Sequence, residues 1–432
     1  MIAPRDVFSL SEEIRSRDYA LATYYLELPS DVDVLEKATA FAIGQTVGTW
    51  VPVPGISDEM RARHGGRVVK VLEVPPHDLA TQVTTPTSAY LIQIALPTIN
   101  FGPQFPMLLT TILGNDASTS TQAKLVDLEL PDAYLAEFAG PRFGIEGVRK
   151  LVGVEDRPLV LNMIKPCTGL TPEEGARIFY ETALGGVDLI KDDELLGNPA
   201  FSPIVERVRA YKRAATSAFE QSGKRVAYIV NVTDSPERVI DNARRAVEAG
   251  ADAVMINFAT VGYGMLHALA GAVEVPVMGH FAGAGMSYEG PASGMSSSIA
   301  LGKLPRLAGA DIAMINTPYG GYPIRRLKYL ATVQQLSLPH PHLARTFPAI
   351  GGGVHPGVVE LYMHELGQDI ILSPGGAIQG HPDGAAAGAR AMRQAIDAVM
   401  AGVPLDAAGA EHPELGAALA RWGYRRSGDA PA

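Results

Sequence analysis

The stretch Gly185-Gly186-Val187-Asp188-Leu189-Ile190-Lys191-Asp192-Asp193-Glu194 reads as an apolar strand that runs into one lysine and three carboxylates. Charge is costly inside a barrel and useful at its mouth, so such a strand should be buried along its length and open at its carboxyl end. Strand alternation puts Lys191 and Asp193 on one face and Asp192 on the other. Glu194 can turn inward where the strand gives way to a loop.

Asp193 and Glu194 are hard oxygen donors suited to Mg2+, but two carboxylates rarely complete a metal site, so a third protein ligand is wanted. Lys191 as an ammonium repels a cation. Made neutral by burial and by nearby positive charge, its amine can react with CO2 to give a carbamate, an anionic oxygen donor. The alternative for a lone K-x-D-E run is a lysine salt-bridged to Asp193 at the lip of a barrel.

The chain around this strand has 432 residues, 47% of them hydrophobic, which is ample material for a large core and two domains. Its formal charge of −10, with no Lys/Arg block to offset it, argues against nucleic-acid or anionic-membrane partners. The single cysteine, Cys167, excludes an intrachain disulfide and fits a reducing compartment. The first residues carry Arg5, Asp6, Glu12, Glu13, Arg15, Arg17 and Asp18 with no apolar signal-like run. No apolar run approaches the roughly 20 residues of a spanning helix. A cytoplasmic protein acting on a small molecule is expected.

Residues 20 to 135 read as mixed α+β. A strand is expected at Ala20–Leu28, a helix at Val32–Thr46, strands near Arg67–Val74 and Tyr90–Ala95, and a short helix at Pro106–Leu113. From Pro158 onward, apolar strands alternate with amphipathic helices. The strands fall at Pro158–Lys165, Val187–Lys191, Arg225–Asn231, Ala253–Asn257, Val275–His280, Ile312–Asn316, Phe347–Gly351 and Ile370–Leu372. Helices between them include Pro172–Leu184, Pro203–Gln221, Pro236–Ala249, Arg325–Leu336, Gly357–Leu366 and Gly384–Ala401. Thr171-Pro172, Ser202-Pro203 and Ser235-Pro236 look like capping residues before a first-turn proline. The pattern predicts an α/β protein: a smaller N-terminal α+β (ferredoxin-like) domain over 1–137, a (β/α)8 TIM barrel over 138–402 and a helical, mobile tail over 403–432.

Barrel chemistry gathers where strands end. The strand ends supply Lys165, Lys191, Asp193, Glu194, Asn231, Asn257, His280 and Asn316. Glycine runs Gly351-Gly352-Gly353 and Gly375-Gly376 follow the last two strands. Backbone N–H groups of such turns can cradle a phosphate, and these loops are the usual phosphate site of the fold, although tight-turn geometry alone also asks for glycine. His280 is placed either as a substrate contact or as a core histidine. Lys165 faces the same mouth, either as a solvated strand-end lysine or as a cation that helps keep Lys191 neutral.

In Gly48-Thr49-Trp50, Leu113-Gly114-Asn115, Gly140-Pro141-Arg142-Phe143-Gly144-Ile145, Ile164-Lys165-Pro166, Gly185-Gly186 with Lys191-Asp192-Asp193-Glu194, and Gly380-His381-Pro382, the chain resembles the large subunit of RuBisCO. It resembles more closely the RuBisCO-like proteins that do not fix CO2. The resemblance implies that Lys191 is carbamylated and completes a Mg2+ site with Asp193 and Glu194. It implies that Lys165 lies near the reacting carbons and that His280 contacts a substrate hydroxyl. It also implies that Gly352, Gly353, Gly375 and Gly376 bind one phosphate with Thr49 and Trp50. Thr49, Trp50 and the catalytic candidate Asn115 would come from the neighbouring subunit, giving an obligate homodimer with shared sites.

The departures matter as much. Cys167 stands where RuBisCO has a second lysine, Phe281 where it has an arginine after the strand-five histidine, Met314 for a phosphate-binding histidine and Gly321 for the mobile-loop lysine. Ribulose bisphosphate carboxylation is therefore not expected, and a substrate with one phosphate fits better. The retained machinery suits formation of an enediolate, with a base such as the Lys191 carbamate or Lys165. The leading expectation is a Mg2+-dependent carbon–carbon lyase, a decarboxylase or transcarboxylase-hydrolase of a 3-oxo-isoapionate-4-phosphate-like acid. Methylthioribulose-1-phosphate isomerase or diketo-methylthiopentyl-1-phosphate enolase chemistry is the alternative. The enolase of this family carries a lysine where this chain has Asn115. A barrel that binds a phosphorylated ligand and regulates without catalysing is the third reading.

Overall fold

The computed structural model describes residues 6–15, 18–48, 53–79 and 85–426. It separates into two compact units, one of residues 1–139 with 284–300, the other of 140–283 with 301–432.

In the first unit, β1 (Tyr19–Pro29), β2 (Arg67–Val74), β3 (Thr87–Pro97) and β4 (Lys124–Glu129) form one sheet in the order β2-β3-β1-β4. β1 pairs antiparallel with both β3 and β4. The expected long helix is Val34–Gly44, begun by Asp33, whose carboxylate accepts from the Leu35 and Glu36 amides. β4 has no counterpart among the sequence expectations, because its charged residues Lys124, Asp127 and Glu129 interrupt the apolar pattern. The segment 284–300 joins this unit through the edge of β4. Leu125 N donates to Gly294 O (2.9 Å), Ser296 N to Leu125 O (2.7 Å), and Lys124 Nζ to Tyr288 O (2.7 Å).

The second unit is a closed parallel barrel of β5 (Leu159–Met163), β6 (Leu189–Lys191), β7 (Ala227–Asn231), β8 (Ala253–Asn257), β9 (Val277–His280), β10 (Ile312–Ile315), β11 (Phe347–Gly351) and β12 (Ile371–Ser373). All eight lie within the expected strands or one residue beyond them. β6 is only three residues long, yet it pairs with neighbours on both sides, Met163 opposite Lys191 and Lys191 opposite Ile229. Leu161, Leu189, Ile229, Met255, Met278, Met314, Ala349 and Ile371 share one buried cluster. Because side chains alternate along a strand, the residue two further on returns to the same face. That rule generates the next layer: Met163, Lys191, Asn231, Asn257, His280, Asn316, Gly351 and Ser373. The apolar barrel thus ends in a largely polar ring.

The helix caps follow the sequence only in part. Thr171 and Glu174 form a reciprocal capping box at the helix Pro172–Leu184. Ser202 does not cap its helix, which spans Ile204–Ser222 with Pro203 at its N-cap position. Instead Arg207 Nη1 donates to both its carbonyl and its hydroxyl. Ser235 also gives its helix no side-chain cap and accepts from Arg238 Nη2. After residue 403 the chain forms two helices, Leu405–Glu411 and Pro413–Trp422. Leu405 and Leu415 are fully buried. A ring nitrogen of His381, Nε2, pairs with Glu414 O at 2.9 Å. Up to residue 426 the expected mobile tail is a packed layer.

Candidate active site

At the end of β6 the backbone carries Lys191 into the polar ring, where its side chain has 0% exposure. Its Nζ donates to Asp192 O (2.9 Å) and stands 3.7 Å from Glu194 Oε2. Burial lowers its pKa, and Lys165 adds to that against the opposing pull of Glu194, Asp193 and Asp192. Taking an ammonium out of water costs several kcal/mol, and a loose contact at this distance does not offset it.

Asp192 points the other way, as alternation requires. Its carboxylate accepts from Arg207 Nη2 (3.0 Å) and Nε (3.2 Å), the Tyr228 hydroxyl (2.6 Å) and Asn231 N (2.9 Å). Asp192 and Arg207 are both sealed from solvent, and every polar group between them has a partner.

On the inner side Asp193 is buried and its Oδ2 accepts from Lys165 Nζ at 2.6 Å, while Oδ1 accepts from Leu195 N. Burial would raise the Asp193 pKa, but the Lys165 bond and the Leu195 amide hold it down. Lys165 is also partly buried, which works against its charge, yet its bonds to Asp193 and to Cys167 Sγ (2.9 Å) push its pKa up. Lys165 is therefore an ammonium, whereas burial disfavours the charged form of Lys191, one layer away.

Glu194 turns inward. Its Oε2 lies 3.7 Å from Lys191 Nζ and 3.5 Å from His280 Nε2, is itself buried, and has no hydrogen-bond partner. Burial, then the charges of Lys191 and Lys165, hold the His280 pKa far below the usual imidazole range. His280 Nδ1 accepts from Ala282 N (3.2 Å), so the proton of the neutral ring sits on Nε2, facing Glu194. The ring of Phe281 stacks on that of His280 with centroids 5.2 Å apart.

The structure brings Lys165, Lys191, Asp193, Glu194 and His280 together. The glycine turns border the same mouth. A side chain at Gly375 would meet Lys165 Cε at 3.3 Å. Gly352 and Gly353 have φ of +87° and +100°, which only glycine adopts freely, and a Cβ on Gly353 would fall 2.7 Å from Gly320 Cα. Gly376 opens the short helix Gly376–Gln379. Asn115 is exposed in the first unit, just before the π-helical turn Asp116–Ser120. Thr49 and Trp50 lie outside the described residues.

Asn231 and Asn257 stand in the ring as expected, but both side chains are turned onto the backbone of residues 193 and 194. Sequence reading passed over Thr233, which joins them. The Asn-x-Thr spacing at the strand end was its only signal.

Among the described residues no three His, Cys, Asp or Glu side chains gather closely enough to hold a metal ion. The donor set is two hard carboxylates, one with an orphaned oxygen, beside a buried amine whose pKa is lowered by burial, and it fits a divalent cation once a third oxygen is supplied at Lys191. No described helix is long and apolar enough to cross a membrane.

Two family models match the chain: "Ribulose bisphosphate carboxylase large chain, N-terminal domain" over residues 11–134, and "Ribulose bisphosphate carboxylase large chain, catalytic domain" over 144–324 and 331–422. A ribulose bisphosphate carboxylase-like protein of Archaeoglobus fulgidus is 44% identical over 396 residues, covering 91% of this chain and 90% of the relative. A 2,3-diketo-5-methylthiopentyl-1-phosphate enolase of Geobacillus kaustophilus is 40% identical over 406 residues, covering 93% and 98%. The crystal structure of a rubisco-like protein (MtnW) of Alicyclobacillus acidocaldarius superposes with a TM-score of 0.86 at 38% identity, covering 94% of this chain and 100% of that one. With the barrel, the N-terminal sheet and both family models in agreement, the chain belongs to the ribulose bisphosphate carboxylase large-chain family, and its relatives here are the RuBisCO-like proteins.

Proposed function

We propose that the chain is an enolate-forming enzyme acting on a small phosphorylated carbonyl compound, of the enolase or isomerase type. This reverses the order of the two expectations above, because the Geobacillus relative is named as an enolase. The observation that carries the reading is Lys191: an amine without any exposure, its pKa lowered by burial, beside two carboxylates of which one has an unpartnered oxygen.

Asp193, Glu194 and Lys191 as its carbamate would hold Mg2+, which when bound supplies Lewis-acid polarisation of a substrate carbonyl. The chain's own groups divide the proton work. Lys165, held charged by Asp193 and Cys167, keeps a proton at Nζ and is a donor in this arrangement, not the base considered earlier. His280 is neutral and presents an Nε2–H toward the mouth. Gly352, Gly353, Gly375 and Gly376 offer backbone N–H groups for the phosphate. Phe281 leaves the far end of the substrate without a cation. A homodimer would bring Thr49, Trp50 and Asn115 to the neighbouring site.

One observation favours the lyase reading as a second. Asn115 is an amide and cannot accept a proton where the family's enolase carries lysine, whereas loss of carboxylate from a 3-oxo acid forms the same enediolate without a base. Incubation of the protein with candidate monophosphates, Mg2+ and bicarbonate, followed by 31P and 13C NMR, separates the two. Proton exchange or a product of equal mass is expected. Release of a carboxyl carbon would move the assignment to the lyase. No turnover of any monophosphate, with phosphate esters still bound, would leave the regulatory reading.

A further inference from the structure

Glu194 is the residue that leaves strand alternation, and its backbone is held by a closed ring of hydrogen bonds. Asn231 Nδ2 donates to Asp193 O (3.3 Å) and Glu194 O (3.2 Å), and Asn257 Nδ2 donates to Glu194 O (3.0 Å). Thr233 Oγ1 donates to Asn231 Oδ1 (2.6 Å) and accepts from Asn257 N (3.0 Å), which closes the ring. Thr233 N also donates to Asn231 Oδ1 at 3.0 Å. The ring is anchored on the outer side of the barrel, because Asn231 N donates to the carboxylate of Asp192 that Arg207 grips.

The result is chemically specific. Both side-chain amides of the ring are used on main-chain carbonyls, so neither neutralises the Glu194 carboxylate, and Glu194 Oε2 remains without a donor between Lys191 and His280. A glutamate has several rotatable bonds, and leaving a buried carboxylate oxygen unsatisfied is costly. Fixing the peptide restricts where that oxygen can go. We infer that Asn231, Thr233 and Asn257 are positioning residues that aim Glu194 into the cation site, an inference that rests on the metal-dependent reading above. Partners of this kind commonly tune metal affinity about ten- to a hundredfold.

The test uses Mn2+ alone as probe, titrated in bicarbonate buffer and followed by electron paramagnetic resonance on the full-length protein. Thr233→Val removes the hydroxyl at nearly constant volume, Thr233→Ser restores it, and Asn257→Ala removes one clamp. The expected result is a weakening of Mn2+ binding by about tenfold in Thr233→Val and more in Asn257→Ala, with Thr233→Ser close to wild type. Thermal unfolding of the metal-free variants, measured alongside, shows that each is folded. Thr233→Val and Asn257→Ala proteins that bind Mn2+ as wild type does, while Glu194→Gln loses it, would overturn the positioning role and leave the metal site intact. A wild-type protein that binds no Mn2+ would overturn both.

Discussion

The two sides of one short strand hold two buried clusters of opposite character. Outside the barrel, Asp192 and Arg207 form an ion pair with Tyr228, Ser202 and the Asn231 amide filling the remaining positions. Inside it, Lys191 is as deeply placed, while Glu194 is only partly buried and stands in loose contact with it, and the buried carboxylate oxygen has no donor. The ingredients are the same, a base and a carboxylate. A cluster in which every atom has a partner is a fastener, whereas one left short is ready to receive something else.

The sharpest way to break this contrast is to remove each basic side chain in turn. Lys191→Ala should lower turnover by about a hundred- to a thousandfold and abolish tight Mn2+ binding, a loss of the size seen when a central electrostatic group is deleted. Its fold should be little affected. Measured by urea unfolding, stability of the wild type relative to Lys191→Met should rise with pH below the ordinary lysine value. There the unfolded chain binds a proton that the native amine, with its lowered pKa, does not. A wild type that tracks Lys191→Met at every pH would show Lys191 to be an ordinary lysine. Arg207→Ala should do the reverse, costing about 3–5 kcal/mol of stability because it strands the Asp192 carboxylate in the interior.

Smaller effects sharpen the picture of the mouth. Gly353→Ala must place a side chain at φ +100° and 2.7 Å from Gly320 Cα. A rise of about tenfold in KM for the phosphorylated substrate is expected, from backbone strain of about 1–3 kcal/mol. Cys167→Ser keeps a hydrogen-bonding atom beside Lys165 and leaves the bond to Asp193 in place. Its turnover should stay within about threefold of wild type in steady-state assays. A larger loss would give the thiol a part that geometry does not assign to it.

The barrel was legible because its strands repeat one simple rule eight times, and even the three residues Leu189–Lys191 carried it. The polar ring was legible for the same reason, each member lying two residues beyond a core position. Contacts between distant segments left no such trace. β4 was missed because charged residues alternate through it, and the association of 284–300 with its edge involves residues more than 160 positions apart. Ser202 resembles a helix cap in sequence, but Arg207 draws off its oxygens. Thr233 sits in a Val-Thr-Asp-Ser run that looks like the approach to the next helix, and its part emerges only when Asn231 and Asn257 are seen side by side.

The strip 284–300 that runs along the edge of β4 also bears on how genes of this family can be recombined. A splice at residue 139 would hand over the N-terminal sheet without the piece of chain that completes it, and would graft a foreign edge onto the piece left behind. Exchange between relatives should therefore succeed as a paired transplant of 1–139 together with 284–300, because inheritance here follows the hydrogen bonds and not the order of the codons.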